Sequence, residues 1–305
     1  MRHHHFLFGA GASAFSGPCW PHRPPLGAGL FAELKPLLRC APSIEAGLEA
    51  MFKTDFEEAM DFLWRSNGAL VQSFQQDLAR YFLRFHPSHG NYYKTLLALL
   101  YAKKRRALLS TLNYDLLIER SLQQLGLRAT HGFDKTPAYR VLVLKLHGSC
   151  NLIPDMGPTT ITDISIDTGP PPPPGQRHVG VGGFPLKSAT LAEMRAFLHA
   201  RQTVVPSIAI YHRSKAVRDC PQGVERIQNF WKGALRDASK LFIIGVRLVE
   251  HDHHIWDAIA ACNTEIFWVS PDAAAAKRWA RSNDARLVHV CNSFKDFIPY
   301  YARNC

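Results

Sequence analysis

Paired cysteines are missing from this chain of 305 residues. Its seven cysteines (Cys19, Cys40, Cys150, Cys220, Cys262, Cys291 and Cys305) are odd in number, widely spaced and nowhere arranged Cys-x-x-Cys, which argues against both a disulfide framework and a four-cysteine zinc site. Long hydrophobic runs are missing too. No apolar stretch approaches the ~20 residues that a bilayer span needs, and the N-terminus lacks the basic, apolar, small-residue layout of a secretory signal. The expectation is a cytoplasmic protein with no membrane partner. Met1-Arg2-His3-His4-His5 looks like a tag remnant, but three histidines directly before a strand are too few to decide that. No internal repeat of roughly 20 to 50 residues is visible. Acidic residues are scarce: 25 Asp and Glu against 36 Lys and Arg leave a formal net charge of +11, which favours anionic ligands and could also attract nucleic acid. The cations are scattered, and the densest run, Lys103-Lys104-Arg105-Arg106, reads as a solvated helix end. A small anion therefore ranks above nucleic acid as a partner.

What the chain does have is the composition of a soluble globular enzyme, 47% hydrophobic and 20% charged residues, enough to bury a sizeable core. Almost at its start the apolar run Phe6-Leu7-Phe8 breaks into Gly9-Ala10-Gly11-Ala12-Ser13. Closely spaced glycines at the end of such a strand let the backbone approach a pyrophosphate, and the N–H groups of the following helix favour negative charge. The same residues are equally those of a tight turn with no ligand, since Ser13 and Gly17 stand where a dinucleotide fingerprint has other residues.

Downstream, a Pro- and Gly-rich loop (Gly17 to Gly29) leads into a block, about 30–104, that reads as almost wholly helical. Phe56, Met60, Phe62, Leu63 and Leu70 recur near a 3.6 period, as do Leu78, Tyr81, Phe82 and Phe85, with a break at Pro87 to Asn91. Ala107 to Leu112 reads as a strand, followed by Asn113-Tyr114-Asp115 and a helix from Leu116 to Leu125 that Gly126 closes. Tyr139 to Leu146 is a continuous apolar strand fit for the centre of a parallel sheet, and it delivers Lys145, His147, Gly148 and Ser149 at its C-terminal end. From Asn151 to about Gly183 the composition turns to Pro, Gly, Thr and Asp, with Pro170 to Pro174 consecutive, and this reads as an extended loop or flap. Helices follow near Ala189 to Ala200 and Val224 to Ala238. Lys240 to Val246 is a further strand ending in Ile243-Ile244-Gly245, Ile266 to Val269 another, Pro271 to Arg281 a helix, and Leu287 to Val290 a last short strand. Alternating strands and helices predict an α/β, Rossmann-like doubly wound parallel sheet. The expected organisation is one domain, 1–305, carrying a helical insertion at about 30–104 and a loop and helical insertion at about 151–238.

Four strand ends thus carry polar or glycine signals in order: Gly9 to Ser13, Thr111-Leu112-Asn113-Tyr114-Asp115, Leu146-His147-Gly148-Ser149, and Ile244-Gly245-Val246. This ordered set resembles the sirtuin-like family, whose members bind NAD through a Gly-Ala-Gly-x-Ser loop, an Asn-x-Asp loop, a His-Gly pair and a glycine strand end. The Thr-x-Asn-Tyr-Asp form, the preceding helical block and the Ile-Ile-Gly strand look most like the bacterial sirtuin-like NAD hydrolases of anti-phage defence. The likeness covers residues 5 to about 115, 140–150 and 240–270, and neither the interior of the helical block nor the Pro-rich stretch. It implies that Gly9, Ala10, Gly11 and Ser13 hold the pyrophosphate, with Thr111, Gly245 and Arg247 also at the cofactor. Asn113 would orient the nicotinamide ribose or a water, Asp115 would lie near the nicotinamide amide, and His147 would be the general base. Those groups suit the chemistry, because breaking the nicotinamide bond builds an oxocarbenium-like centre that needs a positioned water, a nearby dipole or carboxylate, and a base titrating near neutrality.

Bland roles stand beside these. Asn113 and Asp115 could cap the helix after them, His147 could be a structural hydrogen-bonder, and Arg247 could be a surface cation. Two departures from deacetylating sirtuins narrow the function: the paired cysteines of their zinc module are absent, so no zinc is expected, and Gly17-Pro18-Cys19-Trp20-Pro21-His22-Arg23-Pro24 replaces their Gly-Ile-Pro-Asp-Phe-Arg segment. His22 and Arg23 could still cover the cofactor, Arg23 pairing with a phosphate. In Glu250-His251-Asp252-His253-His254 the adjacent histidines do not face one site as ligands at i and i+4 would, and Asp252 reads instead as a helix N-cap. The leading expectation is an NAD glycohydrolase releasing ADP-ribose and nicotinamide, with control through a homo-oligomer or a separate sensor protein, the two insertions being candidate interfaces. Its alternatives are an NAD-dependent deacylase or ADP-ribosyltransferase, and a module that binds NAD or ADP-ribose without turnover.

Overall fold

The computed structural model describes residues 3–132, 140–157, 184–199, 204–209, 219–249 and 252–305. The Pro170–Pro174 run, and Glu250 and His251, lie outside the described residues. In chain order the elements begin with β1 (His3–Phe8), α1 (Ala10–Ala14), β2 (Cys19–Trp20), α2 (Gly27–Leu34), α3 (Ala46–Thr54), α4 (Phe56–Ser66) and α5 (Gly68–Phe82). They continue with β3 (His86–Pro87), α6 (Tyr92–Ala102), β4 (Ala107–Thr111), α7 (Leu117–Gln124), β5 (Arg128–Thr130), β6 (Arg140–Lys145), β7 (Leu152–Pro154), β8 (Leu186–Ser188) and α8 (Leu191–His199). The last are α9 (Pro221–Arg236), β9 (Ala238–Ile244), α10 (His253–Ala260), β10 (Glu265–Val269), α11 (Ala273–Ser282), β11 (Leu287–Cys291) and α12 (Phe294–Asn304).

The chain divides into two compact units. The first comprises residues 1–24, 85–146 and 227–305, the second 25–84 and 147–226. In the first, seven strands form one sheet in the order β11-β10-β9-β1-β4-β6-β5, and every neighbouring pair is parallel. The chain order reverses beside β1, so β1, β4 and β9 are the strands around which a doubly wound sheet opens a crevice at its C-terminal edge.

Side chains of β1 alternate between the two faces. His4, Phe6 and Phe8 join one aromatic cluster, in which Phe6 and Phe242 have ring centroids 5.0 Å apart, Phe242 and Tyr301 5.3 Å, and Phe8 and Phe294 5.9 Å. His5 faces the other way, edge-on to Trp231 of α9. The rings of Phe6, Phe8, Phe242, Phe294 and Tyr301 are almost fully buried, and each contributes about 2 kcal/mol or more of apolar transfer energy. The helix ends are written locally. Gly126 closes α7 with φ +73°; its N–H donates to Gln123 and that of Leu127 to Leu122, the paired bonds of a Schellman motif. Asn91 caps α6 through the Tyr93 N–H at 3.1 Å, and Ser293 caps α12 through that of Asp296 at 3.2 Å. Asp252 holds the N-cap position of α10 but its side chain makes no capping hydrogen bond.

In the second unit, α2, α3, α4 and α5 pack around stacked Phe31 and Phe52, 4.4 Å apart, with Phe74 5.4 Å from Phe52. The helical periodicity is borne out at Phe56, Met60, Leu63, Leu78, Tyr81 and Phe82, all buried, whereas Phe62 is half exposed. Phe62 lies on the face of α4 that carries exposed Glu58, Arg65 and Ser66, three or four residues away, and the period leaves that face to solvent. β7 and β8 form a two-stranded antiparallel ribbon. No helix among the described residues is long and apolar enough to cross a membrane.

Candidate functional site

The glycine loop and the Asn113 loop are joined in the first unit by a knot of hydrogen bonds at the C-terminal ends of β1, β4 and β9. Thr111, the last residue of β4, donates through Oγ1 to the Phe8 carbonyl at 3.1 Å and accepts the Asn113 N–H at 3.0 Å. Asn113 then reaches across, its Nδ2 donating to the Gly9 carbonyl at 2.8 Å and to Ser13 Oγ at 2.9 Å. Ser13 Oγ is also 3.0 Å from the Tyr93 hydroxyl. All of these side chains are buried.

The glycines of the loop answer to one another. Gly9 donates its N–H to Ile244 at 3.0 Å and Gly11 donates to Gly245 at 2.9 Å. A Cβ on Gly9 would lie 2.6 Å from the Gly245 carbonyl oxygen, one on Gly11 2.9 Å from it, and one on Gly245, at φ +61°, 2.0 Å from the Ala12 nitrogen. Side chains are thus excluded at three positions so that the end of β9 can lie against the start of α1. Gly9 and Gly11 commit their amides inside the protein, and exposed Ala10 stands at the outer side of the turn.

Asp115 is buried and accepts the N–H of Leu117, the first residue of α7, at 3.0 Å; it does so from the position before the N-cap residue Leu116, whose side chain makes no capping bond. Burial pushes its carboxyl above the usual carboxylate range, opposed by the Lys145 ammonium. Cys19, at the start of the short β2–β3 ribbon, accepts from Asn91 Nδ2 at 3.3 Å, and burial raises its thiol above the ordinary value. Arg23 and Arg247 are exposed on the first unit, outside this knot.

His147 follows β6 directly in the chain and belongs to the second unit, where its environment is described by itself. It is buried, and its carbonyl accepts the Ala209 N–H at 2.8 Å. Gly148, at φ +74°, bridges Ile208, and a Cβ there would lie 1.9 Å from the Ser207 carbonyl oxygen. The glycine of the His-Gly pair thus allows the segment 207–209 to close on the chain, which fixes the backbone that carries His147.

The structure brings Gly9, Gly11, Ser13, Thr111, Asn113 and Gly245 together in one unit. Sequence reasoning overlooked Tyr93, whose ring packs 5.2 Å from Phe8 and whose hydroxyl meets Ser13. Its place in an amphipathic helix reads only as core. Glu119 was overlooked too, though the charge of Lys145 within an apolar strand demands a partner.

No protein-family model and no curated protein matches this chain. Among solved structures it is similar to one of Sir2 enzymes concerned with their mechanism and regulation, at 14% identity, covering 99% of this chain and 91% of that one, with a TM-score of 0.50. A Sir2 homologue in complex with NAD matches at 17% identity, 99% and 88% coverage and a TM-score of 0.43. Sir2 bound to acetylated peptide matches at 14% identity, 99% and 91% coverage and a TM-score of 0.43. The fold is that of the Sir2 enzymes, a Rossmann-like α/β fold around a parallel sheet.

Proposed function

We propose that this protein is an NAD glycohydrolase that cleaves the bond between nicotinamide and ribose, giving ADP-ribose and nicotinamide. The observation that carries the reading is the bridge from Asn113 to Gly9 and Ser13, because it fixes the two loops that the sequence marks for NAD at the edge of the sheet where ligands bind in doubly wound folds. NAD is the substrate here. The cramped backbone at Gly9, Gly11 and Gly245 suits an extended dinucleotide laid along bare Cα atoms, with exposed Ala10, Arg23 and Arg247 available to its phosphates. When the C1′–N bond breaks, nicotinamide leaves as a neutral base and the ribose carbon gains oxocarbenium character. The oxygen of a water forms the new bond to C1′, and its proton passes to a base, the role assigned to His147. Asn113 orients the water or ribose through its side-chain oxygen, and Asp115 faces the nicotinamide amide.

In this reading the enzyme depletes NAD in anti-phage defence, held silent until a cue acts through self-assembly or a sensor protein. One observation favours a second reading, a module that binds NAD or ADP-ribose without turnover: both Nδ2 protons of Asn113 are already engaged within the protein. Incubation with NAD, alone and with an acetylated peptide, followed by chromatography of the products, separates the readings. ADP-ribose and nicotinamide should accumulate without deacetylation, and Asn113→Ala and His147→Ala should lower the rate by about 100-fold or more. NAD bound but unchanged across protein concentrations would leave the binding module, and 2′-O-acyl-ADP-ribose would signal a deacylase.

A further inference from the structure

Lys145 is the most deeply buried lysine or arginine among the described residues of the first unit, its side chain 1% exposed. Nζ donates to the Asp115 carbonyl at 2.5 Å, reaches the Asn113 carbonyl at 3.5 Å and pairs with the Glu119 carboxylate at 2.9 Å. An ammonium has three protons to give; here two carbonyl oxygens of one loop accept from it, and the Glu119 carboxylate of the helix after that loop supplies the countercharge at ion-pair distance. Thr111 and Lys145 are register partners on β4 and β6. The Lys145 side chain therefore holds the loop leaving β4 to the neighbouring strand at the point where Asn113 turns toward Gly9.

We propose that Lys145, neutralised by Glu119, is a positioning residue for the candidate NAD site. It grips the carbonyls of the 113–115 loop and so aims the Asn113 amide and the Asp115 carboxylate. This inference rests on the NAD reading of the site. Its physical content is the contrast between strength and placement. A buried ion pair is worth little net stability, because desolvation of both charges offsets their attraction, and an apolar pair of similar volume often holds a fold as well or better. An apolar side chain cannot hold two carbonyl oxygens in place. Loss of both charges should therefore spare the fold and free the loop, and misplacement of a reacting group by about 1 Å can cost roughly 100-fold in rate.

The test uses Lys145→Met, which leaves a buried carboxylate unpaired, beside the double variant Lys145→Met/Glu119→Leu, which does not. The single variant should lose thermal stability and the double variant should regain most of it. In the full-length double variant, kcat for NAD hydrolysis should fall about tenfold or more with KM changed less than threefold. The amides of residues 113–117 should exchange with deuterium at least tenfold faster than in the wild type, while β1 and β9 keep their protection. A double variant with wild-type kcat, or with unchanged exchange at 113–117, overturns the proposal. Should the wild type leave NAD intact, the hydrolase reading fails by itself. Amide exchange and the calorimetric affinity for ADP-ribose then decide the clamp: faster exchange with weaker binding in the double variant upholds it, and unchanged values overturn it.

Discussion

His5 shows how a residue's chemistry follows from its strand. Alternation on β1 turns it into the face that packs on Trp231, where it is wholly buried with Nε2 3.1 Å from Ser110 Oγ. Burial pushes its pKa down to about 3 from 6.5. Such a group binds its proton more tightly in the unfolded chain, so the folded state keeps its full stability above pH 6.5 and loses it as pH falls toward 3. The loss runs at ~1 kcal/mol per pH unit within that window. Half-buried His4, lowered to about 4, acts in the same direction. Urea unfolding at pH 7.5 and pH 5 should show the wild type losing about 1–2 kcal/mol more than His5→Gln. Parallel losses in the two proteins would remove His5 from the account. The sequence placed His3 to His5 before a strand when they are in it. A histidine whose neighbours are Phe6, Leu7 and Phe8 belongs to their two-residue period, and the imidazole accepts burial because it can be neutral.

At the scale of elements, strand ends were the most legible part of the site. Ala107–Thr111, Ala238–Ile244 and Leu287–Cys291 lie within a residue or two of the apolar runs that predict them. The short β5 escaped notice because Arg128-Ala129-Thr130 has no apolar period, and it pairs only because β6 offers an open edge. Tyr93 and Glu119 escaped because their importance comes from partners far along the chain, Ser13 and Lys145, which local pattern cannot reveal. The glycines carried a different message from the one first read in them. They read as openings for a phosphate, whereas their nearest contacts are with one another across the β9–α1 junction. Gly245→Ala should therefore damage the fold as well as any ligand site. Its Cβ would meet the backbone of Gly11 and Ala12, which cannot yield as a flexible side chain would, and φ +61° adds strain of about 1 kcal/mol or more. A loss of about 4 kcal/mol in unfolding free energy is expected. Gly126→Ala, with open space around the Cβ and only the φ penalty at the α7 terminus, should lose about 1 kcal/mol. Chemical denaturation of the two variants should preserve that order, and equal losses would refute the steric account.

Across the whole molecule, the two stretches that read as additions to the sheet, about 30–104 and 151–238, correspond largely to the second unit, 25–84 and 147–226. The difference at 85–104 arises because α6 brings Tyr93 to Phe8 and Ser13 of the first unit. Charge is the other property of the whole. With a formal net charge of +11, the protein should attract an anionic dinucleotide over distances longer than any contact, and salt should weaken that attraction as the Debye length shrinks from ~20 Å at low ionic strength to ~6 Å near 0.3 M. The effect belongs to encounter and not to the bond-breaking step. Raising sodium chloride from 20 to 300 mM should thus lower kcat/KM for NAD about two- to threefold and leave kcat nearly constant. NAD carries only a small net charge, so the expected slope is far shallower than the thousandfold or greater losses typical of proteins that neutralise many phosphates of a duplex. A flat kcat/KM would mean that the scattered cations do not act together on the substrate. A fall in kcat of the same size would place the salt effect within the site, where the buried Lys145, Glu119 and Asp115 should be nearly insensitive to it.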